Sequence, residues 1–171
     1  MEHPERKVNR LNEYDYSQNG AYFVTICTQG RRKILSNIVG DDAHIVPTAY
    51  GRVVEKYIRN VPEIEKYVIM PDHIHMIVRL DNGSMWASTP TKPNKNVSNI
   101  VRSLKILTTK EICCSIFQRS YYDHVIRNQQ DYDEIWMYIE NNPRKTFQSG
   151  QSKIPIDKFL PLCNNVPNKR E

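Results

Sequence analysis

The stretch Tyr67–Leu80, YVIMPDHIHMIVRL, constrains this chain more than any other. Tyr67–Met70 and His73–Leu80 are rich in apolar and β-branched residues, and Pro71-Asp72 between them favours a tight turn. The segment therefore predicts two strands joined by that turn. Side chains two apart on a strand project from one face, so Ile74, Met76, Val78 and Leu80 form a continuous apolar face suited to a core. His73 and His75 share the other face, with imidazole tips close enough to share an ion. Neutral imidazole is a common metal ligand, so the pair forms a two-point site that needs a third ligand from elsewhere. The same spacing also fits two surface histidines on a half-exposed strand.

The remaining pattern places this hairpin in a larger layout. Ala21–Thr28 (AYFVTICT), bracketed by Gly20 and Gly30, reads as a buried strand. After Pro47-Thr48, the stripe Tyr50, Val53, Val54, Tyr57 and Ile58 predicts a helix to about Asn60, stopped by Pro62. Residues 81–96 shift to Asp, Asn, Gly, Ser, Thr, Pro and Lys, the composition of a loop, with one stray Trp86. A second helix follows, with Val97, Ile100, Val101, Leu104 and Leu107 on its apolar stripe. Ser98, Arg102, Lys105 and Thr109 lie on its polar, basic flank. Tyr121–Ile126 predicts a short strand. Asn128 with Asp131 resembles a capping box opening a third helix, expected to end at Asn142 before Pro143. The order β-α-β-β-α-β-α predicts an α+β sandwich, one mainly antiparallel sheet with helices packed on it.

Composition narrows the class. At 171 residues the chain fits a single domain large enough for a real core. It contains no apolar run near the ~20 residues that a membrane-spanning helix needs. The first residues lead into no apolar signal segment, so the cytoplasm is the expected compartment. Cys27, Cys113, Cys114 and Cys163 show no disulfide-scaffold spacing and read as reduced thiols. Lys plus Arg number 24 against 19 Asp plus Glu, a net +5 that permits a polyanionic partner without requiring one. The basic residues concentrate between Arg79 and Arg127.

In the third helix, Tyr132, Ile135, Trp136 and Ile139 form a core stripe, and Tyr138 falls at its edge. Asn142 lies one turn further along the same flank. A phenol and a carboxamide stacked at a core margin can face a cleft. An amphipathic tyrosine with its hydroxyl in water has the same spacing.

Several stretches taken together resemble one family: Tyr14-Asp15-Tyr16 with Gly20–Ile26, then Tyr67–His75, then Gln118–Asn128 running on into Tyr138-Ile139-Glu140-Asn141-Asn142-Pro143. In this order, spanning Tyr14 to Lys145, they resemble the single-tyrosine HUH transposases, specifically the REP-associated tyrosine transposases and their insertion-sequence relatives. The resemblance implies an RRM-like or ferredoxin-like α+β fold in residues 1–145, followed by a C-terminal tail, 146–171, that is either packed or flexible. It implies a metal-dependent endonuclease and strand transferase for single-stranded DNA carrying a hairpin, such as a REP-like element or an insertion-sequence end. His73 and His75 would hold Mg²⁺ or Mn²⁺. Tyr138 would be the nucleophile that forms a 5′-phosphotyrosine, and Asn142 would supply the third ligand, where some relatives carry Gln or His. Phe117 stands where relatives often have Trp. Such an enzyme would be cytoplasmic and associated with the nucleoid when bound to DNA. Relatives include monomers and homodimers, some of which exchange the tyrosine helix.

Candidates for DNA contact are Arg102, Lys105, Arg119, Arg127, Arg144 and Lys145 for phosphates, with Tyr121 and Tyr122 for base stacking. The alternative for each is a solvated basic face or a core tyrosine. His124 is either a supporting group of the site or a structural histidine. Two other functions fit the same residues: a non-catalytic RRM-like nucleic-acid-binding module, and a metal hydrolase that uses water while Tyr138 is structural.

Overall fold

The computed structural model describes residues 15, 17–40, 43–81 and 95–149, with side chains as far as Arg144. Four strands form the main sheet: β1 (Gly20–Cys27), β4 (Ile64–Ile69), β5 (His73–Leu80) and β6 (Tyr122–Ile126). Their spatial order is β4-β5-β1-β6, and every neighbouring pair is antiparallel. With α1 (Ala49–Arg59) between β1 and β4, and α2 (Val97–Ile112) between β5 and β6, this is the βαββαβ arrangement of the ferredoxin-like fold. The expected α+β architecture is present.

Local chemistry explains the element boundaries. Thr48 caps α1, its hydroxyl accepting the Gly51 N–H at 3.2 Å, and Asn96 caps α2 through the Asn99 N–H at 2.8 Å. Both helices cover one face of the sheet. There Tyr22, Val24, Ile26, Ile74, Met76 and Val78 pack against Val54, Ile58, Val101 and Leu104. Alternation on β1 and β5 therefore assigns one set of side chains to this core and the odd-numbered set to the opposite face.

That opposite face is covered by α3 (Gln129–Ser149). Ile135 and Ile139 pack on Ala21, Phe23 and Ile77, with Tyr132, Trp136 and Tyr138 at the margin. Polar contacts flank this seam. The Tyr132 hydroxyl donates to Glu65 at 3.0 Å, while Lys66 pairs with Glu140 at 2.7 Å and lies over the Trp136 ring. The capping expectation holds in its first half, since Asn128 Oδ1 accepts the Asp131 N–H at 2.9 Å.

Three details differ from the sequence expectations. First, α3 does not stop at Asn142 but continues through Pro143 to Ser149. Proline removes one backbone donor, the bond to the Ile139 carbonyl, yet its fixed φ suits a helix already nucleated and packed upstream. Second, Leu107 is 42% exposed, and Thr108 is buried in its place. The helical face drifts so that Val97, Ile100, Val101, Leu104 and Thr108 line the core. Third, a hairpin of β2 (Ser36–Val39) and β3 (His44–Pro47) stands between β1 and α1 as a separate two-stranded sheet. Its strands are four residues long and partly exposed, too short to impose a pattern.

Of the expected loop at 81–96, residues 82–94 lie outside the described residues, as do Tyr14, Tyr16, Cys163 and the tail beyond Ser149. Cys27, Cys113 and Cys114 form no disulfide among the described residues. Among the described residues no helix is long and apolar enough to cross a membrane.

Candidate active site

His73 and His75 lie on the α3 face of β5, and both are completely buried, not displayed on a half-exposed strand. Burial of both faces of β5 explains its nearly continuous apolar sequence. The turn that leads into the pair is held from two sides. The Thr28 backbone N–H and hydroxyl each donate to the Asp72 carbonyl at 3.0 Å, and the Leu35 N–H donates to the Pro71 carbonyl at 2.9 Å. Pro71-Asp72 thus fixes where β5 begins and which face each imidazole takes.

The two rings meet edge to face with centroids 4.5 Å apart. Each ring is also held at Nδ1. His73 Nδ1 is 2.6 Å from Asp72 Oδ1, and His75 Nδ1 is 2.7 Å from Thr25 Oγ1 on the neighbouring strand, where Thr25 and His75 are in register. Phe23 stacks on the outer side of His75 with centroids 5.1 Å apart. With both Nδ1 atoms occupied, Nε2 is the remaining nitrogen of each ring, and that of His75 faces Tyr138 on α3. His73 Nε2 is buried and has no hydrogen-bond partner among the described residues, an arrangement that a buried polar atom rarely tolerates unless something else satisfies it.

Electrostatics keep both rings uncharged. Burial pulls the His73 pKa below the usual histidine range, against the opposing pull of Asp72. Burial lowers His75 well below that range, and the positive charge of Arg31 adds to the effect. For Asp72, burial disfavours the carboxylate, but the hydrogen bond from His73 and the charge of Arg31 outweigh it and lower its pKa. Two neutral imidazoles beside a stable carboxylate have the protonation that metal ligation requires.

α3 delivers Tyr138 to this point. Its hydroxyl oxygen lies 3.3 Å from His75 Nε2, and its ring sits edge-on to Phe23 with centroids 6.0 Å apart. Asn142, one turn further along α3, is only 5% exposed. Among the described residues no group of three His, Cys, Asp or Glu side chains is arranged to hold a metal. A third protein ligand would have to be of another kind, such as the Asn142 carboxamide.

The DNA-contact candidates do not gather on one surface. Arg102, Lys105, Arg119 and Tyr121 line a cleft of about 350 Å³ together with Ser98, Val101 and Ile106, on the α2 side of the sheet. Tyr122 sits on β6 in register with Thr25, on the side of the histidines, whereas Tyr121 packs against the α2 core. Arg127 follows β6 and Arg144 lies on α3, both exposed. The Lys145 side chain lies outside the described residues. Lys105 is not a free flank charge: its ammonium donates to the carbonyls of Gln118 and Ser120, both at 2.9 Å, and to that of Arg119 at 3.4 Å. Burial lowers its pKa to about 8. His124 Nε2 contacts Asp131 Oδ2 at 2.8 Å and ties β6 to the start of α3.

Thr25 and Asp72 are the neighbours of the histidines that spacing alone did not select. A signal was available for each. Thr25 is a lone hydroxyl within an apolar strand, and Asp72 directly precedes His73.

Comparison with known proteins finds tyrosine transposases among the relatives of this chain. An uncharacterized protein of Haemophilus influenzae is 30% identical over 161 aligned positions, covering 81% of this chain and 88% of the relative. A REP-associated tyrosine transposase of Escherichia coli is 28% identical, over 79% of this chain and 74% of its own length. The structure of a REP-associated tyrosine transposase bound to a REP hairpin superposes with a TM-score of 0.53, covering 94% of this chain and 98% of that one at 23% identity, and so shares the fold. No family model matches the chain. The chain is thus similar to REP-associated tyrosine transposases in sequence and shares the fold of the solved one.

Proposed function

We propose that this enzyme cuts single-stranded DNA beside a hairpin by direct attack of Tyr138, and that it rejoins DNA by reversing the same step. Support for this comes from the 3.3 Å approach of the Tyr138 hydroxyl to His75, beside a buried His73 nitrogen that lacks a partner. His73 and His75 would hold Mg²⁺ or Mn²⁺ through Nε2, with Asn142 as the third protein ligand. When bound, the ion would neutralise the scissile phosphate and orient it.

Each residue has a definable task. Thr25 and Asp72 fix the two imidazoles. Phe23 stacks on His75 and meets the Tyr138 ring edge to face, holding the two side chains beside each other. Tyr138, as phenolate, bonds to phosphorus while the bond from phosphorus to the 3′ oxygen breaks. The 3′ oxygen takes up a proton and leaves as a free hydroxyl, and the 5′ phosphate remains on the tyrosine as an ester. That ester conserves the bond energy, so a 3′-hydroxyl can later displace the tyrosine without ATP. A water-using hydrolase would lose this option.

The DNA partner is inferred from chemistry and kinship. The α2–β6 cleft carries Arg102 and Arg119 for phosphates, and Lys105 sets the shape of the loop that presents Arg119. Tyr122, in register with Thr25, would stack a base, and Arg127, Arg144 and Lys145 would add further phosphate contacts. A hairpin substrate is suggested by the structural relative bound to a REP hairpin. The testing experiment incubates the protein with Mn²⁺ and labelled hairpin-bearing single strands, then separates products on a denaturing gel. A covalent protein–DNA adduct is expected for the parent and none for Tyr138→Phe, with DNA affinity held within a few-fold. Cleavage that persists in Tyr138→Phe would refute the tyrosine mechanism.

A further inference from the structure

We infer that Arg31 and Asp72 form a two-residue clamp that fixes the tautomer of His73 and aims its Nε2 lone pair at the ion. This inference rests on the metal-binding reading of His73 and His75. Asp72 is 4% exposed, so its carboxylate lies in the protein interior and needs partners for both oxygens. Oδ1 is 2.6 Å from His73 Nδ1, and Oδ2 is 3.1 Å from Arg31 Nε. A carboxylate can only accept, so His73 Nδ1 must carry the proton and Nε2 must be the bare nitrogen. That Nε2 is the buried atom with no hydrogen-bond partner among the described residues.

Arg31 reaches this position through unusual backbone. It ends the short 3₁₀ turn Gln29–Arg31, and both Gly30 and Arg31 are left-handed, with φ of +64° and +55°. Glycine adopts this region freely, while arginine does so only when its surroundings compel it. The result turns the guanidinium back over the end of the sheet, where Nη1 donates to Cys27 Sγ at 2.9 Å while Nε binds Asp72. Cys27 is the β1 partner of His73. Arg31 thereby links the strand beside His73 to the carboxylate behind it. Strained backbone close to a candidate site is where a positioning role is expected. A carboxylate behind a ligating histidine raises its basicity and holds its ring.

Arg31 and Asp72 are positioning residues, and the test must read positioning directly. In the metal-free full-length protein, long-range ¹H–¹⁵N spectra of the imidazoles report which nitrogen carries hydrogen. The expected result is Nδ1–H for His73 in the parent and transfer of the proton to Nε2 in Asp72→Asn, whose amide donates where the carboxylate accepted. Titration with Mn²⁺ alone should show roughly 10–100-fold weaker binding for Asp72→Asn and a several-fold loss for Arg31→Gln. Parent-like tautomer and Mn²⁺ affinity in Asp72→Asn would overturn the clamp. If that variant does not fold, Arg31→Gln decides: weakened Mn²⁺ binding supports the clamp and unchanged binding overturns it. Failure of the parent to bind Mn²⁺ would instead count against the metal reading, and the His73 tautomer in parent and variant would still decide the clamp.

Discussion

The Tyr138 hydroxyl and His75 Nε2 lie 3.3 Å apart, so the proposed nucleophile rests against the very nitrogen that would ligate an ion. One lone pair cannot accept a hydrogen bond from the phenol and bind metal at once. At this length the hydrogen bond is weak and costs little to exchange. An ion held at that nitrogen would therefore displace the hydrogen bond of the phenol.

This exchange predicts how Tyr138→Phe behaves without DNA. Removing the competing hydroxyl should leave Mn²⁺ affinity unchanged or up to a few-fold tighter, while adduct formation is lost. Folding stability should fall by about 0.5–1.5 kcal/mol, the usual net value of one hydrogen bond. Calorimetric Mn²⁺ titration of the two proteins checks this, and tenfold weaker binding by the variant would contradict the competition.

Replacing both imidazoles should end metal-dependent cutting. For His73→Ala combined with His75→Ala, Mn²⁺ titration should show no specific uptake, and hairpin substrates should stay intact. Single-strand affinity should persist, because the α2–β6 cleft lies on the other side of the sheet. A double variant that cuts as well as the parent would remove the metal assignment.

Thr25→Val tests the support behind His75. Valine keeps the shape but leaves the buried Nδ1, now 2.7 Å from the threonine hydroxyl, without its partner. Stability should drop by about 1–3 kcal/mol and Mn²⁺ affinity by roughly tenfold. Urea unfolding and metal titration read the two effects separately. Thr25→Ser, which restores the hydroxyl, should recover most of the affinity.

Lys105 should produce a pH signature. Its pKa falls from the model-compound value of 10.5 to about 8 on folding, because burial disfavours the ammonium. Between those values the unfolded chain binds more protons than the native state, so rising pH stabilises the fold through this group. Relative to Lys105→Met, the parent should therefore gain stability between pH 7.5 and 9.5 in urea unfolding. At pH 7.5 the variant should be less stable by about 1–3 kcal/mol, because the carbonyls of Gln118 and Ser120 lose their donor. A stability difference that does not change with pH would refute the shift.

The sequence made the four main strands and three helices legible because periodicity is a local property. The shared face of His73 and His75 followed from a repeat of two, and the flank shared by Tyr138 and Asn142 from a spacing of four. Their burial did not follow, because it is created by α3 crossing a face of β5 that is distant in sequence. Thr25 and Arg31 are hidden for the same reason, their partners lying 50 and 41 positions away, whereas Asp72 adjoins His73 but belongs to no regular repeat that spacing would rank. The continuation of α3 past Pro143 shows the limit of a breaker rule. Proline weighs against a helix, but the packed turns before it had already been secured by Ile135 and Ile139.

Tyr121, just before the outer strand β6, and Tyr122, its first residue, are neighbours in the chain, yet they lie on opposite sides of a one-sheet wall. A single strand of DNA that touches both must bend around the open rim of that wall. The span between its anchored portion and the bond presented to Tyr138 would then be set by the thickness of the protein, so spacer length, and not base identity alone, would select the position of the cut.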